Sequence, residues 1–421
     1  MAEELNQNLI YFNEQKKIME DKQINYLLNY VRSGSLLQVK LKSYALVVNI
    51  VNGLVDRQLG EETLKYHNEK IEQAVIECYE KIKNLSGIDF IDSFILYTKR
   101  LNFFIYQISK LFIYISNNHI RFVEGQNGDR KYKEDDISEF SMYIYKKCFF
   151  DKLQIKLYQI LNELLIRDER NGNNKYRDNR DKILLIMEII NSMDLIKPKI
   201  VMKGRNEFKW EETSGETSNN PLTYQKKWFE YFKEETIKYA KNKGEKDIKT
   251  LSAPEYMLCE LKYINEEHER QKSYINAIFH EEINKINFEN LIVNNMNVLK
   301  EMDSCINNMF KNNKKEELSQ LFKLSTLYPE SLEWIKRSFR NCISERLRAL
   351  KNDKELFNDQ KKFIESMINL KKEMDEFITK CFENNLDFMI AEKEEFCELM
   401  KDIPPEILKD HEDFSREIGF P

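Results

Sequence analysis

Apolar residues recur along this chain in steps of three and four. From Phe94 to Ile115 they stand at positions 94, 97, 101, 104, 105, 108, 111, 112 and 115, a spacing that stacks them along one side of a helix. A second stripe runs through Phe363, Met367, Leu370, Met374, Phe377, Ile378 and Cys381, and a third through Leu153, Leu157, Ile160, Leu161, Leu164 and Leu165. Each predicts a long amphipathic helix whose apolar side another helix must cover. The third stripe runs into Asp168-Glu169-Arg170-Asn171-Gly172. An arginine near the last carbonyls and a glycine free to take positive φ predict a helix end and a turn there.

Interruptions are few. Glu124 to Asp136, Asn171 to Asp181 and Lys203 to Leu222 lack periodicity, the last with Gly204, Gly215, Asn219-Asn220 and Pro221. They read as loops or short disordered excursions. Long helices with clustered connections predict an all-α fold, an elongated stack in which each helical unit covers its neighbour's apolar side.

Composition agrees: 421 residues contain only 11 glycines and 7 prolines, and the first proline is Pro198. Such scarce turn chemistry excludes a β-rich fold, because proline is the strongest interrupter of helices. Sixty-six basic residues against 71 acidic ones give a net charge of −5, both signs interspersed. Nucleic acid is therefore not an expected partner, since backbone binding needs a concentrated basic face. The seven cysteines form no CxxC pair and read as reduced thiols in a cytoplasmic or nuclear protein. Neither an N-terminal secretion signal nor a run of 18 apolar residues occurs, so no membrane association is expected.

Catalytic chemistry finds little support. His280-Glu281-Glu282-Ile283-Asn284 has asparagine where a zinc-binding HExxH places its second imidazole. Neither a phosphate-binding glycine loop nor a nucleophile elbow is found, and most carboxylates read as helix-surface partners of lysine. The basic segment Lys336, Arg337, Arg340, Arg346, Arg348 and Lys351 is diluted by Glu333 and Glu345 and reads as a helix face. Trp210, Trp228 and Trp334 read as core anchors. Catalytic residues, metal and cofactor are all expected to be none.

Four segments resemble one family, the cullins, scaffold subunits of RING-type ubiquitin ligases. Leu165-Ile166-Arg167-Asp168-Glu169-Arg170-Asn171-Gly172 is similar to the family's Leu-Ile-x-x-Glu-Arg-x-Gly-Glu, with Asn173 replacing the final glutamate. Glu255-Tyr256-Met257, Glu260, Glu266-Glu267, Arg270 and Tyr274 match, without a gap, a stretch of Glu-Tyr-Met/Leu followed by Glu-Glu-x-x-Arg and an aromatic. Glu316-Glu317-Leu318 with Leu321-Phe322-Lys323-Leu324 resembles Glu-Asp-Leu-x-x-Met-Tyr-x-Leu. Lys380-Cys381-Phe382-Glu383-Asn384-Asn385 with Phe388 resembles Ser-Phe-Asn-Asn-Asp-x-x-Phe, and Pro405-Glu406-Ile407-Leu408 resembles Pro-Glu-Leu-Leu.

The resemblance implies an elongated right-handed-type stack of three cullin repeats, each of about five helices, over residues 1–155, 156–300 and 301–421. It also implies a scaffold without catalysis of its own, whose first repeat binds an adaptor of the Skp or BTB fold carrying a substrate receptor. A RING-box protein would bind only if a C-terminal cullin homology domain exists, and 421 residues match three repeats with nothing left for one. In the family, the second and fifth helices grip the adaptor. Their counterparts are Tyr44, Ala45, Val48 and Asn52, then Tyr114, Asn117, Asn118 and Arg121. Ala45, Val48, Ser116, Asn117 and His119 depart from the family pattern, which leaves the choice of adaptor open. Two other functions fit the same architecture: an exocyst-type tethering subunit, and a truncated decoy that sequesters adaptors.

Overall fold

In the computed structural model, residues 2–35, 41–115, 136–170, 179–196, 198–204, 207–212, 222–302, 306–326 and 329–401 are described. They form two compact units, Met1–Glu235 and Thr236–Pro421, and both are essentially all-α.

The N-terminal unit begins with α1 (Ala2–Met19), α2 (Asn25–Ser33), α3 (Leu41–Asp56), α4 (Gly60–Ile82) and α5 (Gly87–Leu111). The stripe predicted from Phe94 to Ile115 is its central seam. Phe94, Leu101, Phe104, Ile105, Ile108, Leu111, Phe112 and Ile115 are fully buried, and only Tyr97 stays half-exposed. Burying each large apolar side chain there contributes about 1.5–3 kcal/mol. Gly34 ends α2 in the left-handed conformation, at φ 75. A Cβ at Gly34 would meet only the flexible end of the Arg100 side chain on α5, so it is the positive φ that calls for glycine here.

Next come α6 (Asp136–Tyr145), α7 (Asp151–Ile160) and α8 (Asn179–Ser192). Wide π-helical turns follow α6 at Lys146–Phe150 and α7 at Leu161–Ile166. They overturn one expectation. A π turn inserts an extra residue and rotates the following side chains out of phase, so burial steps from Leu161 to Ile166 while Leu164 is 37% exposed.

A second correction concerns the segment 203–222, expected to be loop throughout. Strand β1 (Pro198–Gly204) pairs antiparallel with β2 (Glu207–Glu212), Ile200 opposite Trp210 and Met202 opposite Phe208. An isolated two-stranded hairpin is marginal in water. This one is held by Asn102 on α5, whose Nδ2 donates to the Phe208 carbonyl at 3.1 Å and whose Oδ1 accepts from Trp210 Nε1 at 3.0 Å. Trp210 and Trp228 are buried, as expected of core anchors.

Helix α9 (Thr223–Asp247) contains the division between the two units. The C-terminal unit continues through α10 (Ala253–Gln271), α11 (His280–Leu291), α12 (Lys315–Ser325), α13 (Pro329–Asn352), α14 (Gln360–Cys381) and α15 (Leu386–Met400). Proline and a capping box start α10: the Ser252 N–H donates to Glu255 Oε2 at 3.0 Å. The stripe predicted from Phe363 to Cys381 is buried at every named position. It joins Phe310, Phe322, Phe339 and Phe388 in one aromatic-rich core.

Candidate protein-binding surface

Two helices of the N-terminal unit carry the residues singled out as a partner face. On α3, Val47, Val51 and Leu54 point into the core. The helical repeat then sets Tyr44, Val48 and Asn52 on the adjoining flank and turns Ala45 further outward. Tyr44, Val48 and Asn52 are half-buried and Ala45 is exposed. Tyr44 sits near Tyr106 of α5; burial first, and then the neighbouring Tyr106, raises its hydroxyl above the usual tyrosine range. The Asn52 Oδ1 is buried without a hydrogen-bond partner, an arrangement that costs about 1–3 kcal/mol.

Tyr114 lies in the helical turn just past α5 and is half-buried. Its hydroxyl donates to Asp56 Oδ1 at 3.1 Å, and that bond raises its pKa. Tyr114 therefore fastens the last residue of α3 beside the end of α5. The structure thus brings Tyr44, Ala45, Val48, Asn52 and Tyr114 to the α3–α5 pair, with Leu46 and Ile113 exposed nearby in sequence. Asn117, Asn118 and Arg121, like Ser116 and His119, lie outside the described residues. Sequence spacing gave no signal for Tyr106 or Asp56, because each acts through a residue distant along the chain.

Several residues of the family-like motifs in the C-terminal unit are interior, while Pro405-Glu406-Ile407-Leu408 lies outside the described residues. Tyr256 donates to the Leu291 carbonyl at 2.6 Å. Glu260 is fully buried, and one oxygen accepts from Lys243 Nζ at 2.9 Å while Lys243 also reaches Asp247 at 2.6 Å. Glu267, also buried, pairs with Arg270 at 2.8 Å. Among the described residues, Asp247, Cys259 and Glu260 form the group with metal-ligand spacing. The Lys243 ammonium already stands within reach of all three, 3.7 Å from Cys259 Sγ, and supplies the positive charge. In the near-HExxH segment, Asn284 bonds His268 at 2.8 Å and His280 bonds the Ile275 carbonyl at 3.0 Å. Within the basic segment of α13, Lys336 pairs with Glu333, Arg340 with Glu394 and Arg346 with Glu373.

Buried titratable groups predict local stabilities of opposite pH dependence around Glu260 and Glu392 and around His67. Burial raises Glu260 from 4.5 to about 7, Lys243 opposing the rise and the neighbouring Asp247 adding to it. Burial likewise raises Glu392 to about 7 against its 3.0 Å contact with Lys371. Both carboxyls bind protons more tightly folded than unfolded, so their contribution is complete below about 4.5 and is lost as pH rises through about 7. His67, wholly buried in the N-terminal unit, is lowered from 6.5 to about 4 by desolvation. Its contribution is present above 6.5 and lost as pH falls through about 4. Between pH 5 and 6.5, rising pH should loosen amides around Glu260 and Glu392 and tighten those around His67, by on the order of 1–3 kcal/mol per group. Hydrogen exchange corrected for intrinsic rates reads both; parallel slopes in the two units would contradict this.

No helix among the described residues is long and apolar enough to cross a membrane. A family model for the cullin alpha solenoid domain matches residues 27–414. Cullin-3 of Dictyostelium discoideum is 25% identical over 150 residues, 35% of this chain and 20% of that protein. Cullin-3A of Arabidopsis thaliana is 24% identical over 169 residues, 40% of this chain and 23% of the relative. Putative cullin-like protein 2 of Arabidopsis thaliana is 24% identical over 166 residues, 39% of this chain and 43% of the relative. Each match thus spans less than half of the relative's own length.

Proposed function

Because the chain belongs to the cullin family, we propose that it is a non-catalytic scaffold of a cullin-RING ubiquitin ligase, and that its α3–α5 surface binds a Skp-type or BTB-fold adaptor. The observation that supports this reading is a direct bond between the two segments expected to form the partner face. Tyr114, just past α5, is bonded to Asp56 at the end of α3, the helix that carries Tyr44, so tyrosines from both sequence segments belong to one helix pair. Half-buried tyrosines suit such a role, since they offer large contact area and lose few rotamers on binding.

In this reading residues 1–155, 156–300 and 301–421 are three cullin repeats, the first being the adaptor end. Stiffness would be the scaffold's contribution, holding a substrate at fixed distance from a ubiquitin-charged partner. A RING-box protein joins only through a C-terminal cullin homology domain, and the setting is cytoplasmic or nuclear. The test is co-elution: chain and adaptor mixed at micromolar concentration should leave a sizing column together as a one-to-one complex. An unchanged elution volume with adaptors of both folds would overturn the proposal.

A further inference from the structure

The β1–β2 hairpin leaves the chain between α8 and α9 and packs on helices from an earlier stretch of the N-terminal unit. Its base is closed by Asp194, just past α8. That buried carboxylate accepts from the backbone N–H groups of Tyr224 and Gln225, in the first turn of α9, at 3.0 and 3.1 Å. The Tyr224 hydroxyl donates to Asp151 Oδ1 of α7 at 3.0 Å, so the point of return is itself anchored.

Beyond its base the hairpin is gripped by α5. Asn102, buried there, uses both ends of its amide: Nδ2 donates to the Phe208 carbonyl and Oδ1 accepts from Trp210 Nε1. An amide carries donor and acceptor on one planar group, so a single side chain fixes two points of β2. The Phe208 ring lies 4.9 Å from that of Tyr106 and 5.3 Å, edge-on, from that of Phe103, which meets Tyr30 of α2 at 4.4 Å. Strand β1 packs on α6.

The place where the hairpin crosses is one where α5 and α8 are not fully packed on each other. A groove of about 260 Å³, open to solvent, separates Ile95 and Thr98 of α5 from Leu185 and Ile189 of α8, and Phe208 and Trp210 lie across it. Two ion pairs stand nearby: Lys209 of β2 with Glu188 of α8 at 2.9 Å, and Lys182 of α8 with Asp92 of α5 at 2.6 Å. Their acids are largely exposed, and exposed pairs hold weakly. The buried side chains of the hairpin are the firmer bridge.

We infer that the hairpin is a strap by which the second repeat holds the first, and that Asn102 is the positioning residue that latches it. The strap fixes the direction in which the adaptor end points. The inference rests on the scaffold reading and its repeat boundaries, with α5 and α6 in residues 1–155, and α8, the hairpin and the start of α9 in 156–300. A scaffold acts by holding one partner at high effective concentration near another, and that gain falls as the connection loosens. Releasing the strap would spread the positions of a bound substrate without altering a contact residue.

Spin labels on ketone-bearing unnatural residues at Lys65 of α4 and Lys226 of α9, both exposed, leave the cysteines untouched. Double electron–electron resonance on the full chain then reads the distance between the two repeats. The unaltered chain should give one narrow distance. Asn102→Leu, similar in size but unable to make either bond, should broaden the distribution toward longer distances. Amide exchange in residues 198–204 and 207–212 should quicken about tenfold, the loss expected of two hydrogen bonds, with helicity by circular dichroism retained. Asn102→Asp keeps the acceptor for Trp210 and loses the donor, so it should fall between the two and keeps the experiment decisive if the leucine variant fails to fold. Faster exchange in the hairpin with an unchanged label distance would overturn the strap, and unchanged exchange would overturn the latch. Both readouts are taken without adaptor, so a chain that binds none removes the adaptor reading alone, while a chain that binds but whose label distance ignores the hairpin removes only the strap.

Discussion

Phe382→Ala is expected to destabilise the C-terminal unit by about 3–5 kcal/mol, the cost of deleting a buried aromatic and leaving a void. Phe382 is fully buried and stacks on Phe388 at 4.1 Å. Phe339 lies 5.4 Å away and Phe322 5.5 Å away, so one truncation strips several rings of a partner at once. The chain cannot readily collapse into the gap. Immediately after Phe382, Glu383 and Asn384 adopt left-handed conformations at φ 52 and 58, a tight turn that fixes where α14 hands over to α15. Denaturant unfolding should show a lower midpoint for this unit at unchanged steepness. A loss below 1 kcal/mol would mean that the cluster repacks around the missing ring.

Tyr44→Ala combined with Tyr114→Ala is expected to weaken adaptor binding by about a hundredfold, on the order of 3 kcal/mol, the range of a pair of aromatic interface anchors. Both side chains are only half-buried, so helicity should persist. Tyr114→Phe separates the two contributions of that residue. It keeps the ring and removes the hydroxyl that bonds Asp56, and should therefore lose only a few-fold in affinity. A double variant that binds like the original chain would remove the α3–α5 surface from the account.

Much of the fold was legible because helix packing writes itself into periodicity. The Phe94 to Ile115 stripe became the seam of the N-terminal unit, and the Phe363 to Cys381 stripe runs through the C-terminal core. Where reading failed, the cause was a contact distant in sequence or a change of helical phase. Leu164 turned outward because the π turn at Leu161–Ile166 shifts register, which spacing cannot reveal. The hairpin was missed because its strands are short and bracketed by Gly204 and the 213–221 segment, and because its stability comes from Asn102, over a hundred residues earlier.

The residues that carry the family resemblance are largely framework. Tyr256, Glu260, Glu267, Phe382 and Phe388 are all buried and make internal bonds or stacks, so the resemblance speaks to how the chain folds. Among the proposed contact residues, Tyr44 and Tyr114 keep the tyrosines of the family pattern, while Ala45, Val48 and Asn117 depart from it. Ala45 is exposed and Val48 half-buried, so the core constrains them less than it does the buried framework.

The central claim, that adaptor engages the α3–α5 pair, is tested most directly by hydrogen exchange on the intact chain with and without saturating adaptor. Added protection confined to residues 43–56 and 103–115 is the predicted result. Protection concentrated in the C-terminal unit, or none at a concentration where the two proteins co-elute, would contradict it.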